Sequence, residues 1–179
     1  MCNDRAGHLR MSGNKKMESI KHLHGDAANR TLRVFRRLSR FPFGKLIYSR
    51  LVNYYAPYTG TIRAVVTELI PGLCKTEMKD RRSIQNHLRT VHAIALCNLC
   101  EMTMGLMVDA TIPSHLRWIP KGMNVQYVKK ARGTLSGRSW IDPDVFAPGD
   151  HSIPVEIYDM SGNIVVRTDI TLSVTHRPE

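Results

Sequence analysis

At 179 residues, with 42% hydrophobic and 23% charged residues, the chain has the make-up of one globular domain with a substantial core. Its four cysteines do not form the framework of a disulfide-stapled secreted scaffold, and no apolar signal-peptide core lies in Met1 to Ser19, so the cytoplasm is the expected compartment. The net charge of +11 is uneven: residues 1–60 hold 12 Lys/Arg against 3 Asp/Glu, residues 61–179 hold 14 against 12. A basic first third suits nucleic acid, an acidic lipid surface or a phosphate-bearing ligand. No aromatic-basic RNA motif or recognition-helix signature accompanies the charge, so no specific nucleic acid is expected.

Residues 1–29 are polar, broken by Gly and Asn, and without an apolar period, which predicts a disordered leader. Met11 and Met17 are alternative starts within it. Residues 30–58 read as two basic amphipathic helices. Leu32, Phe35, Leu38, Leu46, Ile47, Leu51 and Tyr54 recur at helical spacing, and Phe41-Pro42-Phe43-Gly44 breaks the pattern in two. Arg30, Arg33, Arg36, Arg37 and Arg40 crowd the first helix. Its basic face is either simply solvated, with the apolar side docked, or lies on an acidic membrane surface.

Residues 59–176 read as the main domain. Thr61 to Leu69 is rich in β-branched residues, Pro71-Gly72 makes a turn, and Leu73 to Asp80 alternates with Cys74, Thr76 and Met78 on one face. A loop over 81–91 leads to the central feature, with Thr90 as the expected N-cap. From Val91 to Val108 only His92, Asn98, Glu101 and Thr103 are polar. Apolar residues on every side predict a helix buried all round, roughly 27 Å long. That length is marginal for a membrane span, and Glu101 near the middle argues against one. A buried carboxylate must be paired or used; Asn98 and Thr103 are its candidate partners within the helix. Cys97 and Cys100 lie in mid-helix, where free thiols pack as small hydrophobes.

Beyond Pro113 and the Ser114–Arg117 turn, Met123, Val125 and Tyr127 alternate, and a second strand is expected from Thr134 to Ile141. A loop over 142–150 precedes alternation at Ile153, Val155 and Ile157. The turn from Asp159 to Asn163 then closes a hairpin, and Ile164, Val166, Thr168, Ile170, Leu172 and Val174 share one face of the last strand. Two helices, two strands, a buried helix and four strands make an α+β protein with an antiparallel sheet curled around one helix.

His92 and Glu101 are nine residues apart, so on one helix they face opposite sides, roughly 13 Å apart along the axis. If they cooperate, a two-fold dimer must bring His92 of one chain to Glu101 of the other. Asn86, His92 six positions on and Glu101 nine further resemble the hotdog-fold acyl-CoA thioesterases. The strings NHLRTVHAIALCNLCE, APYTGTI upstream and WIPKGMNVQYVKKARGTL downstream are similar to an uncharacterised branch of that superfamily, over about Phe41 to Val174.

The resemblance implies a hotdog fold: a long buried central helix wrapped by an antiparallel sheet of about six strands. It implies a homodimer or homotetramer that hydrolyses an acyl-CoA or acyl-carrier thioester. Glu101 would be the general base or the nucleophile. His92 would orient the thioester, and the Ala93 backbone N–H at the helix start would polarise its oxygen. Asn86 would hold the loop or the attacking water, though an Asn in a loop equally makes an ordinary turn contact. Many relatives have two glycines after the His; here Ala93-Ile94 stand there, and Ile94 would narrow a substrate pocket that Asn98 also lines. Lys129, Lys130 and Arg132 suit coenzyme A phosphates, or are a solvated strand end. No metal is expected, since His87 and His92 have no supporting ligand spacing, and no cofactor beyond the coenzyme A of the substrate. A hydroxyacyl thioester dehydratase and a non-catalytic acyl-ligand carrier are the alternatives. Acyl chain identity is not encoded in any of these residues.

Overall fold

Apolar residues at two spacings build the two halves of the architecture: every third or fourth position along the helices, every second along the strands. The computed structural model describes residues 30–178, so the leader expected over residues 1–29 lies outside the described residues. Helices α1 (Arg30–Leu38) and α2 (Gly44–Tyr55) precede strands β1 (Val65–Ile70) and β2 (Leu73–Met78). The long helix α3 (Ala93–Thr111) follows, then β3 (Leu116–Tyr127), β4 (Leu135–Trp140), β5 (Gly149–Tyr158) and β6 (Ile164–His176). Every strand pairs antiparallel in one curved sheet of order β1-β2-β4-β5-β6-β3. Short turns make neighbours of β1 and β2 and of β5 and β6, whereas β3 crosses to the far edge and pairs with β6 alone.

The sheet holds α3 against its inner face. Leu99, Met104, Met107 and Val108 are fully buried there with Cys74, Met78, Leu135, Ile153, Val155 and Ile157. The approach is closest at Gly137 of β4. A Cβ there would lie 2.7 Å from Thr76 Oγ1 and 2.8 Å from Thr103 Oγ1, two hydroxyls that hydrogen-bond each other at 2.6 Å. Only glycine leaves that buried pair intact.

On the outer side of α3 lie α1 and α2. Leu32 and Phe35 of α1 are buried, and Phe35 meets Tyr48 of α2 edge to face at 5.0 Å between ring centroids. The Val66 N–H donates to Ser49 Oγ at 2.8 Å, which fastens α2 to β1. The elbow between the helices is tight. Phe43 takes φ 61, and a Cβ at Gly44 would fall 1.8 Å from the Leu38 carbonyl oxygen.

Four expectations change. α3 is not buried all round: Ile94 is 54% exposed, Glu101 and Asp109 are exposed, and Cys97 and Gly105 are half-buried. A single sheet covers one side of a helix, and α1 and α2 cover only part of the other. The cap of α3 is His92 rather than Thr90, whose hydroxyl is taken by Asn86. The expected turn at Ser114–Arg117 is already strand from Leu116, because pairing with His176 and Thr175 of β6 extends β3 that far. The strand expected from Thr61 starts only at Val65, after a 3-10 turn over Thr59–Thr61.

Candidate active site

The start of α3 is held from three directions. The Val91 N–H donates to the Ala131 carbonyl at 2.9 Å and the His92 N–H to the Ile84 carbonyl at 2.8 Å. His92 Nδ1 then accepts the Ile94 N–H at 3.1 Å, so the ring caps its own helix. The Ala93 N–H is the first donor of the helix and one of those that no intrahelical carbonyl reaches. Such a donor, at the positive end of the helix, stabilises an oxyanion. The His92 cap and Ile94, Ala95 and Asn98 of α3 line a small cavity of about 200 Å³ with Tyr58, Thr61 and Ile84.

Glu101 lies on the open side of the same helix, in the wall of a second, larger cleft of about 630 Å³ between α3 and the two N-terminal helices. Val34, Leu51, Val52, Met102, Leu106 and Trp118 make that cleft apolar. The Trp118 indole donates to Asp109 Oδ1 at 2.8 Å and reaches across Gly105, where a Cβ would come within 3.4 Å of the ring. Among the described residues no hydrogen bond or ion pair holds the Glu101 carboxylate. Its two expected neighbours are engaged elsewhere: Thr103 Oγ1 donates to the Leu99 carbonyl at 2.6 Å, and Asn98 Nδ2 donates to the Tyr58 carbonyl at 3.0 Å and to Thr61 Oγ1 at 3.2 Å. Asn98 and Tyr58 line both cavities and so form the partition between them.

Within one chain, then, His92 and Glu101 line neighbouring but separate cavities. Asn86 is spent on its loop: Oδ1 accepts the Leu88 N–H at 2.9 Å and the Thr90 N–H at 3.2 Å, beside Arg89 at φ 55. Lys129, Lys130 and Arg132 flank Ala131, whose carbonyl receives Val91, so the basic run sits next to the entrance of α3. Lys129 is paired with Asp159 at 3.3 Å, while Lys130 and Arg132 are exposed.

The two helical cysteines part company. Cys100 is buried, its thiol 3.4 Å from Thr168 Oγ1, and burial pushes its pKa up to about 12. Cys97, three residues back, turns to the open side, with Sγ 3.1 Å from Tyr127 Oη; that contact, more than burial, pushes the Tyr127 pKa up to about 12. Among the described residues no three His, Cys, Asp or Glu side chains gather as metal ligands would.

Residues 44–174 match the model of a family described as a domain of unknown function, DUF4442. The chain belongs to the DUF4442 family. A protein solved as a structural-genomics target is 34% identical, with a TM-score of 0.74 over 82% of this chain and 99% of that one. PA5026 from Pseudomonas aeruginosa, a protein of unknown function described as a probable thioesterase, is 17% identical, with a TM-score of 0.68 over 76% of this chain and 97% of its own. The thioesterase HI1161 from Haemophilus influenzae is 12% identical, with a TM-score of 0.63 over 72% and 90%. No curated protein matches the sequence. The fold of this DUF4442 chain is the hotdog fold, one long helix held in a curved six-stranded antiparallel sheet. Among the residues that line its cavities, Tyr58, Met102 and Trp118 are not singled out as site residues by the sequence, although Tyr58 and Trp118 lie in the APYTGTI and WIPKGMNVQYVKKARGTL strings. Met102 sits four residues beyond Asn98, a helical neighbour that periodicity could have found; Trp118 arrives from β3 and could not be placed without the tertiary structure.

Proposed function

We propose that this protein is a thioesterase that hydrolyses an acyl-CoA or related acyl thioester at sites shared between two copies of the chain. The observation that carries the reading is the unspent Glu101 carboxylate in the wall of an apolar cleft, on the same helix whose first N–H, that of Ala93, is free. The cleft offers the acyl chain a dry wall. A two-fold partner with a neighbouring, antiparallel α3 would bring its Glu101 toward this chain's helix start. The partner is supported by the open edge of the sheet: β3 spans Leu116–Tyr127, and Ile119, Met123 and Tyr127 on it are exposed.

In the proposed reaction Glu101 takes a proton from water, and the water oxygen bonds to the thioester carbon. The carbonyl π electrons move onto oxygen, and the Ala93 N–H donates to that oxyanion. Collapse re-forms the carbonyl and breaks the C–S bond. The thiolate takes the proton back from Glu101, leaving a carboxylic acid and a free thiol. His92, by capping α3 through Nδ1, holds the helix start and its N–H in place. Lys130 and Arg132, next to that helix start, would meet the phosphates of coenzyme A.

Glu101→Gln keeps the shape and removes the base. With a panel of acyl-CoA esters and a thiol-release readout, kcat should fall by roughly a hundredfold or more while the melting temperature holds. A folded Glu101→Gln protein that hydrolyses at the parental rate rejects the mechanism. Hydration of an enoyl-CoA, lost in the same variant, would make the protein a dehydratase. Tight acyl-ligand binding with no turnover would make it a carrier.

A further inference from the structure

We propose that the α1–α2 elbow is a docking surface for an anionic lipid bilayer. Residues 30–67 contain eight Lys/Arg and no Asp or Glu. Arg33, Arg36, Arg37 and Arg40 are all exposed, and the ion pairs of the described residues use none of them. Directly beside this row, at the tip of the elbow, Phe41 is 64% exposed and Phe43 is 79% exposed, on either side of Pro42. Phe43 is held there with φ 61, a backbone region that a side chain such as Phe rarely adopts. The apolar exposure continues along α2 through Ile47, Leu51 and Tyr54.

Each half of this pattern has a separate requirement, and a bilayer surface meets both. Arginines reach lipid phosphates while their stems lie along the interface, and aromatic and aliphatic side chains enter the boundary of the acyl region. A phosphate backbone alone would reward the arginines but not Phe41, Phe43 and Ile47. A second copy seated face to face would bury the apolar residues but set this cationic row against itself, with no carboxylate from the same segment to meet it. The surface is also continuous with the large cleft, because Val34 and Leu51 are exposed and line it as well. Docking at the elbow would therefore set one wall of the cleft at the lipid surface.

The test is flotation of the full chain with vesicles of phosphatidylcholine, alone or mixed two to one with phosphatidylglycerol. Its readout is binding, so it stands or falls apart from any hydrolysis. The protein should float with the anionic vesicles only, and added salt should release it. Arg33→Gln, Arg36→Gln, Arg37→Gln and Arg40→Gln together should weaken binding roughly a thousandfold. Phe41→Ser with Phe43→Ser should weaken it about tenfold at unchanged charge. All six side chains are exposed, so an unchanged melting temperature certifies the fold. Failure to float with anionic vesicles at low salt overturns the proposal, as does binding that ignores the phenylalanine changes. So does tighter binding to an RNA or DNA duplex that needs the arginines alone. Self-association lost in the phenylalanine variant, with no vesicle binding, would assign the surface to a second copy instead.

Discussion

At Ala93 the proposed chemistry belongs to a backbone N–H, which side-chain substitution leaves in place but proline removes. Position 93 opens α3, the one helical position where proline is at home, and His92 before it has φ −64 and ψ 141, as a residue preceding proline prefers. Ala93→Pro should therefore leave the helix and the melting temperature intact and lower kcat by about a hundredfold or more. Hydrolysis at the parental rate by the folded variant would take the Ala93 N–H out of the mechanism. Asn98 and Asn86 show how far single residues could be read. Both were legible as polar residues in telling places, but their amides go to Tyr58, Thr61 and Thr90, partners that the sequence pattern does not name.

Among the elements, the β5–β6 hairpin carries its own pH switch in stability. Asp159 Oδ1 accepts the N–H groups of Ser161 and Asn163, both at 2.9 Å. The Asn163 backbone bond first, with the Asn163 side chain, Lys129 and Ser161, draws the Asp159 pKa down to about 2. A carboxyl whose folded pKa is depressed adds stability above its unfolded value of about 4, and that stability is lost as pH falls through about 2. Asp159→Asn keeps an acceptor oxygen and removes the charge. Thermal melts should show the variant less stable than the parent near neutrality, with the gap closing toward pH 2. A gap constant across that range would mean that the charge is not what holds the turn. The turn itself was plain in Asp159-Met160-Ser161-Gly162-Asn163, because turn chemistry is local.

For the whole molecule, the proposed assembly would form at the open edge of β3. A 12-residue edge strand with exposed Ile119 and Met123, paired among the described residues with β6 alone, presents backbone N–H and C=O groups beside apolar side chains, an arrangement that invites another chain. Light scattering should find a dimer or tetramer. Ile119→Lys with Met123→Lys should give a monomer that keeps its far-ultraviolet circular dichroism and loses hydrolysis, since in the proposed reaction neither helix start nor Glu101 completes a site alone. A parental monomer that hydrolyses acyl-CoA would end the shared-site reading.

The sequence by itself determined the class of every main element: helical spacing at Leu32, Phe35 and Leu38, alternation from Ile164 to Val174, and the unbroken apolar run that became α3. It also carried the Asn86, His92 and Glu101 spacing that led to the hotdog fold. These signals depend on neighbours a few positions away, which the chain displays directly. Only the tertiary structure decided which side of α3 stays open, because burial depends on what the sheet and α1 and α2 cover. The same holds for Cys97, which finds Tyr127 from β3 while Cys100 is sealed against Thr168 of β6. Exposure of Glu101 was hidden for that reason too: an apolar composition reports that a helix will be covered, and not on which of its sides.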